Sequence, residues 1–169
     1  MRQGILGLFA LVALAGSAPA QDVVLRVGTA DVAAGQPAEV SLHIEVPGQA
    51  SSVIDIDLAY NASRLVLTGV VPGAVAVAAG KDVAFYESTP GEVGIVISGM
   101  NQSTMGSGIL ACLHFDTDES ADWWMHTAVE IVAASAASPE AELLNVDTRD
   151  GYVRVAPEDV IAVGPWGRA

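Results

Sequence analysis

The sequence predicts an all-β fold, an antiparallel β-sandwich of jelly-roll type with about nine strands. Short valine- and isoleucine-rich runs follow one another along the chain. Turn-forming pairs and triplets of glycine, proline, asparagine and aspartate separate them. No long stretch carries a helical apolar period.

The first run is "VVLRV" from Val23, and "AEVSLHIEV" from Ala38 follows the turn Ala34-Gly35-Gln36-Pro37. Next come "VIDIDLAY" from Val53, "LVLTGVV" from Leu65, "VAFY" from Val83 and "VGIVIS" from Val93. The series closes with "ILACLHFD" from Ile109, "AVEIVAAS" from Ala128 and "YVRV" from Tyr152. β-Branched residues suit a pleated, half-buried surface, and the intervening Pro47-Gly48, Pro72-Gly73, Pro90-Gly91 and Asp150-Gly151 suit turns. Only "SPEAELLNV", Ser138 to Val146, has a capped start that could make a helical turn.

Before these runs lies "MRQGILGLFALVALAGSAPA", with a basic start, an apolar centre and a small-residue end. That pattern is a secretory signal peptide over residues 1–20, with cleavage expected between Ala20 and Gln21. Residues 21–155 then form one sandwich domain, and the Pro- and Gly-containing segment 156–169 a short tail. The expected location is extracellular, with no membrane insertion after cleavage.

The chain carries 20 acidic against 7 basic residues, a net charge of −13, and loss of Arg2 makes it more negative still. Nucleic acid and anionic lipid surfaces would repel it. Its single cysteine, Cys112, can make no internal disulfide and reads as a free thiol in the core.

The residues offer no catalytic constellation. There is no G-x-S-x-G elbow, and His43, His114 and His126 lie on separate segments. His43 and Glu45 share a strand face, but a pair two residues apart fits a solvated surface better than a metal site. "DTDESAD", from Asp116, lacks the glycine at its sixth place and the glutamate at its twelfth that a calcium loop needs. No metal or other cofactor is expected on this chain. Trp123 and Trp124 could stack on a sugar ring, one facing out and the other in, so a carbohydrate-binding module is the alternative reading; a structural or adhesion module of the cell envelope is another.

Four stretches in this order resemble the cohesin module of cellulosomes, the receptor for dockerin. They are "VGTADVAAGQPAEVSLHIE", "DIDLAYNASRLVLTGVVPGAV", "GEVGIVISG" followed by "GSGILACLHFDT", and "DTRDGYVRV". The resemblance implies a non-catalytic binding module that recruits a dockerin-bearing protein, such as a glycoside hydrolase, in polysaccharide degradation. A polysaccharide is an expected partner only through such an assembly or through the tryptophans, and calcium would belong to the dockerin.

The family's recognition face implies strands over Val53 to Tyr60, Val83 to Glu87, Val93 to Gly99 and Val129 to Ser135 here. Asp55 stands where the family keeps a recognition aspartate, and Val53 where it commonly has asparagine. Asp57 is expected to add a polar contact, with Tyr86, Ser98, Asn101 and Gln102 at the rim, and Glu140 or Glu142 beyond the eighth strand.

Overall fold

The computed structural model describes residues 22–46, 51–118 and 125–156. Eleven strands and one short helix follow in the order β1 (Asp22–Val27), β2 (Thr29–Ala33), β3 (Ala38–Glu45), β4 (Val53–Tyr60), β5 (Leu65–Pro72), α1 (Ala74–Ala78), β6 (Asp82–Thr89), β7 (Glu92–Ser98), β8 (Gly108–Thr117), β9 (Met125–Ala137), β10 (Leu143–Arg149) and β11 (Gly151–Ala156). One layer runs β5-β8-β3-β1-β10 and the other β6-β7-β4-β9-β11-β2. The first residues of β10 also pair with β9, so the layers join along one side.

Alternation sets the register. Ile54, Ile56 and Leu58 of β4 are at most 2% exposed, while Val53, Asp55 and Asp57 between them face solvent. Burying each apolar side chain contributes about 2 kcal/mol. A one-residue slip would instead bury both carboxylates, at a cost of several kcal/mol each, so only one register is tenable. The same period puts Leu25, Leu42, Ile95, Ile97, Leu113 and Phe115 in the core, and Tyr60 caps it edge-on to Phe115 at 5.1 Å.

Two strands go beyond those the sequence runs define: β2, which follows the first run across Gly28, and β10, which precedes the last run across Asp150-Gly151. At Gly28 the chain passes from β1, paired with β3, to β2, paired with β11. At Gly151 it passes from β10, paired with β1, to β11. The two bends face each other, and a Cβ on Gly151 would collide with the Gly28 carbonyl oxygen. The resulting β1–β10 and β2–β11 pairings are parallel, a departure from a purely antiparallel sandwich. Asp150, between β10 and β11, accepts a hydrogen bond from the Ile131 amide at 2.8 Å, where the β9 ladder changes partner.

The helical turn expected in Ser138 to Val146 is a hairpin turn instead. Ser138 Oγ accepts hydrogen bonds from the Glu140 and Glu142 amides, Ala141 takes a left-handed φ of 64°, and Leu143 starts β10. Its serine caps a reversal that returns the chain beside β9, so pairing overrides the local helix signal. The helix lies at Ala74–Ala78, where Ala76 is fully buried. Cys112 also departs from expectation. It sits half-buried on the outer face of β8, opposite Ser41, because the buried positions of that strand are its neighbours Ala111 and Leu113.

Candidate functional site

Strands β9, β4, β7 and β6 lie side by side in that order, and they are the four segments the resemblance assigns to recognition. Their outward residues form rows across the sheet. Ser135, Asp55, Val96 and Ala84 make one, and Ala133, Asp57, Gly94 and Tyr86 the next. By strand geometry Asp55 and Asp57 are about 7 Å apart along β4. Neither carboxylate has a hydrogen-bond or ion-pair partner among the described residues. No lysine or arginine occurs on these four strands.

Tyr86 is 56% exposed, yet its ring lies flat over Gly94, where any Cβ would collide with it. A glycine inside a strand marks such a close approach. Val132, 67% exposed, completes the apolar part of the face. It sits at a bulge in β9: Asp57 pairs with Ala133 and Leu58 with Ile131, leaving Val132 as the extra residue. Sequence reasoning missed Gly94 and Val132, although the alternation outward from Glu130 already pointed to Val132. Together Tyr86, Val132, Asp57, Glu92 and Ala59 border a shallow depression of about 320 Å³.

The remaining sequence-derived residues scatter along the rim. Val53 is part-exposed at one end of β4, and Ser98 is half-buried at the end of β7. Gln102 is exposed in the loop after β7. Asn101 shapes that loop: its Nδ2 donates to Gly80 O at 2.8 Å, its Oδ1 accepts from the Ser103 amide, and its carbonyl accepts from Lys81 Nζ at 2.9 Å. Glu140 and Glu142 lie in the β9–β10 turn, at the Val53 end of the face. Trp123 and Trp124 lie outside the described residues, as do the signal segment 1–20 and nearly all of the tail.

Three further titratable groups are turned away from this face. His43 Nε2 is 2.8 Å from Ser41 Oγ on the opposite layer. Burial, reinforced by Glu39, pushes the Cys112 thiol up. Tyr60 is pushed up to about 12, first by burial and then by its hydrogen bond to Glu87. Among the described residues no group of three or more His, Cys, Asp or Glu side chains could hold a metal ion, and no helix is long and apolar enough to cross a membrane.

No family model matches the chain, and no curated protein does. Solved structures do. The sixth cohesin of scaffoldin B from Acetivibrio cellulolyticus, in complex with a dockerin, superposes with a TM-score of 0.70 at 17% identity, over 81% of this chain and 99% of that one. The chain has the cohesin fold. A cohesin from Clostridium acetobutylicum gives 0.68 at 22% identity, covering 81% of this chain and 92% of its own. A non-cellulosomal cohesin from the archaeon Archaeoglobus fulgidus gives 0.68 at 17%, covering 86% and 99%. The cohesin-like architecture therefore extends over nearly all the described residues.

Proposed function

We propose that this chain is a secreted, non-catalytic, cohesin-like binding module that recruits a dockerin-bearing partner through the outer face of β9-β4-β7-β6. The observation that carries the reading is the convergence of four segments, separate in sequence, into one contiguous face. Similar folds in complex with dockerins add support. The face joins apolar area from Tyr86 and Val132 with a few polar groups, chiefly Asp55 and Asp57, as protein interfaces commonly do. Partner enzymes of the glycoside hydrolase class and a role in polysaccharide degradation belong to this proposal, as does calcium held by the partner.

Capture from the producing organism's secretome tests it. Immobilised chain is expected to retain a protein with duplicated D-x-[DN]-x-[DN]-G loops, and EDTA to release it. Retention that is indifferent to EDTA, of proteins without such loops, sinks the proposal.

A further inference from the structure

We propose that the depression beside Gly94 is a pocket for one cationic side chain of the partner, an arginine. This inference deepens the docking-face reading and depends on it for the pocket's biological use. Two carboxylates face the depression, Asp57 on β4 and Glu92 on β7. Glu92 pairs with Ala59 and Asp57 with Gly94, so the acids are diagonal neighbours about 7 Å apart. Asp57 has no partner among the described residues. Glu92 uses one oxygen, Oε2, to accept from the Thr89 hydroxyl at 3.0 Å and the Ser88 hydroxyl at 3.5 Å, while its Oε1 has no partner among the described residues. Like charges so placed repel each other, and a cation between them removes the repulsion and adds attraction to both.

The apolar borders select the shape of that cation. Tyr86 lies flat over Gly94 on one side, and Val132 stands on the other. An arginine stem can lie along such walls while its head reaches the acids. The planar guanidinium also stacks on a tyrosine ring and offers two carboxylates several donors at fixed angles, which an ammonium does not. The four strands supply no internal lysine or arginine to fill the place.

The test uses the whole mature chain and a defined probe. Nα-acetylarginine methylamide is titrated against the isotope-labelled protein, with the uncharged citrulline analogue as comparator, and amide shifts are followed by NMR. The expected result is saturable shifts centred on Gly94, Asp57 and Ala59. Binding should be at least fivefold weaker for citrulline and for Asp57→Asn, and lost in Asp57→Asn/Glu92→Gln. Both acids are exposed, and the same spectra report that the variants are folded. Equal response to citrulline, shifts centred elsewhere, or unchanged binding by the double variant overturns the pocket. A failure of the docking face itself reads differently: Val132→Glu would then leave capture of the secretome partner unchanged. If Val132→Glu abolishes capture while the arginine probe fails, the face stands and the cation pocket falls.

Discussion

The two outer faces of this sandwich are built by the same alternation but carry different chemistry. On the β5-β8-β3-β1-β10 layer, Arg149, Arg26 and His43 stand opposite one another, with Asp147, Val24 and Glu45 in the next row. Arg26 has Asp147 and Glu45 diagonally adjacent, and Arg149 and His43 each have one of these acids two places along their own strand. On the β9-β4-β7-β6 layer the acids have no basic neighbour on the same strands, and apolar Tyr86 and Val132 are exposed among them. A surface with both signs of charge side by side offers a partner little net charge to meet. The uncompensated one, acidic with apolar patches, is the surface a partner can improve.

The comparison can be broken first at the joint that holds the two layers together. Gly151→Ala puts a methyl group against Gly28 O and Val27, and is expected to cost about 3 kcal/mol or more of stability, read by urea unfolding. A loss under 1 kcal/mol would show that the bends are not tightly held.

Between the faces themselves, the largest contrast is expected at exposed valines. Val132→Glu should weaken partner binding at least thirtyfold, the range of a central interface residue, with stability changed by under about 0.5 kcal/mol. Val71→Glu, on the opposite layer, should leave binding unaltered; calorimetry of both variants decides, and equal effects would erase the distinction. Asp55→Ala is expected to leave folding nearly unchanged and to weaken binding by at least about 1 kcal/mol, as for a hydrogen bond to a charged group. Binding indistinguishable from the parent would return Asp55 to the role of a solvated surface acid.

A last effect, confined to alkaline pH, is expected at Tyr60, where the layers meet. Its ionisation is shifted from 10.0 to about 12 in the fold, so its contribution to stability is complete below pH 10 and disappears as pH rises through 12. Tyr60→Phe should therefore flatten the loss of stability across that window in alkaline unfolding curves. An unchanged slope would mean that the phenol is as free to ionise in the fold as outside it.

Much of this was legible locally. In "VIDIDLAY" alternation alone placed Asp55 and Asp57 on one face and Ile54, Ile56 and Leu58 on the other, and the structure agrees. Strand count was less legible, because Gly28 and Gly151 read as strand ends or turns when they are points where the chain changes layer. Ser138 misled for a similar reason: a serine followed by acids caps a helix or a hairpin equally well, and the neighbouring strand β9 selected the hairpin. Cys112 and Val132 needed only stricter use of alternation. At Asn101 nothing in the sequence signals what the structure shows, a side chain that ties its loop to Gly80 and Ser103.

By itself, then, the sequence determined the strand class, the buried and outward sets of each strand, and the acid excess. These follow from the two-residue pleat and from the cost of burying charge, both local rules. Tertiary structure alone decided that β4 lies between β9 and β7, that Tyr86 covers Gly94, and that Asp57 comes beside Glu92. Those neighbours are far apart in the chain, and only the shared core that pairs their strands brings them together.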